Sequence, residues 1–341
     1  EQRSTMPKKP ASKPLAKKSK VRTTPAAMEA MMWQFAQVLE GADSSEGVTK
    51  DDIDALVASL QGPLPTEGLS DKEANAKDEA QQIAFDAMEA GSESEARKLA
   101  KRALRLDPDC VDALVVITDL DAHTTRETIE GLQKAVAAGE RSLGEKFIRE
   151  NKGRFWLLLD TRPYMRALQS LAEAYRSQGI ALDAIRLYER MLELNPNDNQ
   201  GVRKPLLGLY LETGDLKSAQ RLLKQFHEDG SASFEWARVV ERFMAGDRNG
   251  ASKALKAARK ANLHVELLLT QKKALPLEMP EMYSMGSEEE AVLVLSYLSG
   301  ALAEQKEASL WIFEQFAAAG AHPDARGTRL RRMPVTGKTV H

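Results

Sequence analysis

The sequence predicts an all-α fold: an α-solenoid in which antiparallel helix pairs stack into a right-handed superhelix, preceded by a disordered basic N-terminal arm. Three observations predict it. Apolar residues at helical spacing recur about every 34 residues. A glycine separates the two halves of each clear recurrence, and a proline closes two of the second halves. Apolar residues make up 43% of the chain and charged residues 29%, enough to bury a substantial core and unlike a membrane protein. The longest uncharged run, Ala291–Ala303, is well short of the roughly 20 apolar residues that span a bilayer.

Residues 1–26 carry eight Lys and Arg against one acid, mixed with Pro, Ser, Thr and Ala. Such a composition buries too little apolar surface to offset the entropy of ordering it, which predicts the disordered arm. The basic start is not followed by an apolar run, which argues against a secretory signal. Residues 27–61 predict a short helical segment. Met28, Met31, Met32, Phe35, Val38 and Leu39 share one helical stripe, and Ile53, Leu56, Val57 and Leu60 share another behind a Thr49/Asp52 capping box. Residues 27–80 carry three Lys against twelve acids, so the arm and the stretch after it have opposite signs. Residues 62–76, with Pro63 and Pro65 and no periodicity, read as a linker.

The repeat array is predicted over 77–319. Its first pair has Ile83, Ala84 and Ala87, then Gly91, then Ala96, Ala100 and Ala103, ending in Leu106, Asp107 and Pro108. Val111 to Ala138 forms a degenerate second pair, and Gly139 to Asp160 reads as an extra or lengthened helix. The third and clearest pair has Leu171, Ala172 and Tyr175, then Gly179, then Ala184, Tyr188 and Met191, closed by Leu194, Asn195 and Pro196. The fourth has Leu206, Leu207 and Tyr210, then Gly214, then Ala219, Leu223 and Phe226; the fifth has Val239, Val240 and Phe243, then Gly246, then Ala251, Leu255 and Ala258. Small residues let the two helices of a pair approach, larger ones fill the space between pairs, and glycine permits the tight turn. Pro276 and Pro280 interrupt the pattern before a last pair at Ser287 to Ala319, expected to cap the stack. Residues 320–341 form a basic tail with Arg326, Arg329, Arg331 and Arg332.

The third pair resembles the tetratricopeptide repeat (TPR) consensus at most positions. Residues 145–311 also resemble a bacterial TPR subgroup related to the suppressor-of-tumorigenicity-7 family. The residues that carry this resemblance are the runs Glu150 to Trp156, Thr161 to Arg166, Asn195 to Gly201 and Gly286 to Ala291. Membership would imply a TPR scaffold and no enzymatic activity. Some relatives carry membrane segments or a zinc-binding MYND module; this sequence has neither, so localisation and partners do not carry over.

No chemistry stands out. The five His show no pair at metal-ligand spacing, and there is neither an HExxH motif nor a Cys/His cluster, so no metal or cofactor is expected. The single Cys110 excludes an intrachain disulfide framework and suits a reducing cytoplasm, the predicted location. It lies just after Pro108 with no His or second Cys to lower its pKa, so it reads as packing at a helix start. Thr336 to Thr339 resemble the end of a phosphate-binding loop, but Arg332 stands where that motif needs Gly. Glu288, Glu289 and Glu290 read as favourable charges at a helix N-terminus. Trp156 and Trp236 read as packing residues.

A binding function is predicted instead. The concave wall of such a superhelix is lined by the first helix of each pair. Arg166, Gln169, Glu173 and Arg203 are expected on it in the third and fourth pairs, with Arg162, Tyr164 and Asn199 at the entry to the same helices. Arg forks fit carboxylates, so this wall suits a protein or peptide partner carrying an acidic segment or a free C-terminus. A blander reading has Arg162 and Asn199 capping helices and Tyr164 filling a gap between pairs. The alternative function is nucleic-acid association through the basic arm, whose phosphate-neutralising charge is real. The arm has no aromatic before Trp33, so base stacking on it is not available.

Overall fold

The computed structural model describes residues 28–30, 32, 33, 76–272, 274, 276, 279, 280 and 282–319. The predicted arm, the helix at Lys50 to Leu60, the linker up to residue 75, the tail from residue 320 and the Thr336 to Thr339 motif lie outside the described residues. Among the described residues the protein is all-helical, with no strand. Residues 28–30, 32 and 33 are helical, and fourteen α-helices follow.

The first four are α1 (Ala76–Met88), α2 (Glu93–Leu106), α3 (Val111–Asp121) and α4 (Thr125–Leu143). The degenerate pair is therefore a real helix pair. Its turn lacks glycine and is instead closed by a capping box, in which the Thr124 hydroxyl accepts from the Glu127 N–H and the Glu127 carboxylate accepts from the Thr124 N–H. The extra helix expected over Gly139 to Asp160 is divided: α4 runs on to Leu143, short α5 spans Glu145–Glu150, and two single 3-10 turns follow at Phe155–Leu157 and Leu159–Thr161. Gly144, at φ 77°, stops α4 because the left-handed region ends a helix at little cost to glycine.

The third to fifth pairs are α6 (Arg162–Ser177) with α7 (Ala181–Leu194), α8 (Arg203–Glu212) with α9 (Leu216–Gln225), and α10 (Ala232–Met244) with α11 (Arg248–Ala261). Their three internal turns are near copies. Gly179, Gly214 and Gly246 sit at φ 72°, 77° and 76°. The residue after each glycine returns its N–H to the last turn of the preceding helix: Ile180 to the Tyr175 carbonyl, Asp215 to Tyr210 and Asp247 to Arg242. Gly91 differs from the expectation. It is not among the positive-φ glycines, because its turn is one residue longer and hands the chain to Ser92, whose hydroxyl accepts from the Glu95 N–H.

Three of the pairs bury small residues of both helices completely: Ala84 and Ala100, Ala172 and Ala184, and Ala237 and Ala251 are all fully inaccessible. First helices also touch first helices, α1 against α3, α3 against α6 and α8 against α10. After α11 come short α12 (His264–Leu269), then α13 (Glu288–Glu304) and α14 (Lys306–Ala318). The expected cap is not what this last pair forms. Instead of extending the end of the stack, α13 lies across α8 and α10, and α14 also touches α10. The proline-containing connection through Pro276 and Pro280 redirects the chain, and α13 has an apolar surface wide enough for two helices. Ala291, Val294, Leu298 and Ala301 are all almost completely buried on it.

Candidate partner-binding wall

The exposed faces of the first helices are where the sequence placed a partner, and the structure shows what those side chains touch. Three first helices are linked by one polar chain. Gln81 on α1 donates to Asp112 Oδ2 at 2.7 Å, and Arg166 on α6 grips the same Asp112 on α3 with two nitrogens, at 2.9 and 2.5 Å. Arg166 Nη1 also donates to both carboxylate oxygens of Glu29 at 2.8 Å. Its guanidinium lies 5.9 Å from the Phe85 ring centroid. Burial disfavours the Arg166 cation, but Asp112 and Glu29 outweigh it and raise its pKa further.

Arg162 donates to the Trp156 carbonyl at 3.2 and 3.1 Å, stacks 5.0 Å from the Trp156 ring centroid and reaches Glu29 at 3.7 Å. The turn before it is tied by the Thr161 hydroxyl, which donates to the Phe155 and Leu158 carbonyls. Tyr164 does not face solvent. It is 2% exposed, packs edge-on to Phe155 and donates its hydroxyl to Glu140, and burial pushes its phenol up to about 12. A side chain at Gly139 would collide with its ring, so glycine there is what admits the tyrosine.

Further along, Gln169 accepts from Gln200 at 2.8 Å, and Glu173 accepts from Arg176 and from the Tyr188 hydroxyl. Arg176 then donates to the Ser296 carbonyl on α13 at 3.0 Å and lies 5.9 Å from the Tyr297 ring centroid. Arg203 sits between Asp198 and Asp229 at 2.9 and 2.7 Å and over Phe226 at 5.2 Å. Asn199 is exposed in the turn before α8.

Of the four residues expected on the wall and the three at the entry to its helices, the structure joins Arg162 and Arg166 through Glu29. It places Gln169, Glu173 and Arg203 in separate local networks, buries Tyr164 and leaves Asn199 exposed in the turn before α8. Sequence reasoning missed their partners. Asp112 and Glu29 lie 54 and 137 residues from Arg166, with no local signal to link them. Asp198 had one: it stands in the turn-forming run Asn195 to Gly201, and at φ 51° its carboxylate accepts from the Val202 and Arg203 N–H groups, capping α8.

The chain's own residues pack against several of these first helices. α13 lies over α8 and α10, and Glu29, which is 8% exposed, meets α6 at Arg162 and Arg166. Beside the N-terminal residues lies a cavity of about 300 Å³, lined by Trp33, Lys77, Asp109, Cys110 and Tyr164 among others. Cys110 is buried, and desolvation pushes its thiol up to about 12, so it is not a thiolate near neutral pH. Among the described residues no group of three His, Cys, Asp or Glu is arranged to hold a metal ion, and no helix is long and apolar enough to cross a membrane. No protein-family model matches this sequence, and no curated protein matches it.

Proposed function

We propose that the protein is a non-enzymatic adaptor: a TPR-type superhelix of helix pairs whose first-helix wall holds a segment of another protein. The observation that carries this reading is the Gln81–Asp112–Arg166 chain, which spans three successive first helices and leaves Arg166 with a second guanidinium edge directed at a carboxylate. Bidentate Arg–carboxylate pairing selects geometry as well as charge, which is what recognition of an acidic side chain or C-terminus needs. The repeated glycine turns support the repeat reading, since three pairs share one backbone solution. The resemblance to TPR scaffolds agrees with it, and the cytoplasm suits a chain with one buried thiol.

A photo-crosslinking residue placed in the full chain tests this in the native cell. At Asn199, exposed in the turn before α8, we expect a discrete protein adduct; at Arg186, exposed on a second helix, we expect none. Equal labelling at both positions, or none at either, removes the adaptor reading. The alternative, nucleic-acid association, rests on the eight basic residues among 1–26. It requires salt-sensitive DNA or RNA binding that vanishes when those residues are removed.

A further inference from the structure

We infer that the Arg162–Arg166 end of the wall is a receptor for a short amphipathic helix bearing a glutamate and, one turn later, an aromatic side chain, and that the chain's own Glu29 and Trp33 occupy it as a built-in competitor. This rests on the adaptor reading and names the partner's chemistry.

The geometry of the occupied site carries the inference. Glu29 presents both oxygens to one Arg166 nitrogen at 2.8 Å each, with Arg162 at 3.7 Å on the same carboxylate. Two cations therefore converge on one anion, and Asp112 neutralises only the far edge of Arg166. Trp33 lies four residues after Glu29, hence on the same helix face, and lines the neighbouring cavity. Met28, off that face, is 53% exposed.

Two features show that the occupant fits loosely. The cavity of about 300 Å³ remains beside Trp33, and the Trp33 indole N–H is buried with no acceptor. A better ligand would fill the first and satisfy the second. Charge complementarity calls for a carboxylate at Arg162 and Arg166, whereas the cavity beside it, lined by Asp78, Asp107, Asp109 and Asp160 against Lys77, suits a hydrogen-bond donor such as an indole N–H. Residues 34–75 join this segment covalently to α1, so the competitor is part of the same chain. A tethered competitor acts at an effective concentration that an outside peptide must overcome, so the intact protein binds such a peptide weakly until the tethered copy is released.

The experiment uses full-length protein and a fluorescent peptide carrying the sequence of residues 27–41, read by anisotropy. The wild-type chain should bind it weakly. The Glu29→Lys chain, whose own segment is repelled by Arg162 and Arg166, should bind at least about tenfold more tightly. The same peptide with Gln in place of its glutamate should lose most of that gain. Glu29→Gln provides a milder release should the charge reversal disturb folding, and circular dichroism checks both chains. Folded Glu29 variants that bind the peptide no better than wild type overturn the inference, as does a gain indifferent to the peptide's glutamate. Adducts at Asn199 together with no exchange would remove this receptor and leave the adaptor reading standing.

Discussion

Arg166 and Arg203 are each held between two carboxylates, and in both cases one of the acids belongs to a loop or helix start that the arginine could not have located from its own neighbourhood. These pairs are partly buried, where breaking one partner leaves an uncompensated charge, so they matter more than surface pairs. Exposed pairs show the pH sign more cleanly. The hydrogen bond from Arg141 holds the Asp109 carboxyl below its ordinary value. A carboxyl lowered in the folded state adds stability above its unfolded pKa and loses it as pH falls through the lowered folded value. Arg141→Gln should therefore lower the melting temperature near neutral pH, and the gap to wild type should close below about pH 4. A gap that persists unchanged far into acid would show that Arg141 acts through packing instead. Asp229 behaves in the same sense: burial raises its carboxyl, but the hydrogen bonds from Ser231 and Arg203 together bring it below the usual range. Asp198, on the other side of the same arginine, is raised by burial despite its hydrogen bonds.

At the scale of elements, the turns inside the third, fourth and fifth pairs repeat a single backbone solution, and one of the three lacks a side-chain cap. Asp215 and Asp247 follow their glycines at φ/ψ of −77°/70° and −84°/79°, and their carboxylates accept from the Ser218 and Gly250 N–H groups. Ile180 has the same backbone, −83°/65°, but no side-chain cap, and it is 38% exposed. Ile180→Asp should install the missing cap and stabilise the protein by about 0.5–1 kcal/mol, read from the denaturation midpoint. No change, or a loss, would mean that Ile180 makes an apolar contact worth more than the cap. The helices and these glycine turns were legible in the sequence because both are local: a 3.6-residue stripe and a residue tolerant of positive φ declare themselves within a few positions. The break of the stretch after Leu143 into a short helix and two 3-10 turns was not, since side-chain ties such as Thr161 to Phe155 and Arg162 to Trp156 decide it.

At the scale of the molecule, the consequential feature is the return of α13 over α8 and α10. The contact is close enough that a side chain on Gly208 would run into the backbone carbonyl of Tyr297, and one on Gly300 into the Glu212 carboxylate. In an open helix interior Gly→Ala stabilises by up to about 1 kcal/mol. At Gly208 the obstacle is backbone and cannot rotate away, so Gly208→Ala should instead destabilise by about 1–3 kcal/mol in chemical denaturation. A stabilised variant would mean that α13 lifts off easily and that the wall over α8 is open to a partner. As folded, α13 belongs to the same continuous core as α6 to α11, with Ala291, Val294 and Ala301 fully buried in it. The two coverings differ in their contacts: α13 is built into the core, whereas Glu29 meets α6 through its ion pairs with Arg162 and Arg166, the contact that the exchange experiment probes.

The sequence by itself determined the helices, their pairing in order and the tight turns, because these depend on periodicity, residue size and backbone freedom over short spans. It also pointed to Arg162, Arg166 and Arg203 as the notable side chains of the first helices. Only the tertiary structure decided what those arginines hold, and that Glu29 and α13 pack against the first helices. Ion pairs and helix crossings between residues over a hundred positions apart leave no periodic mark on a sequence; they follow from where the connections through Pro276 and Pro280, and the segment before α1, bring distant charges and apolar faces together.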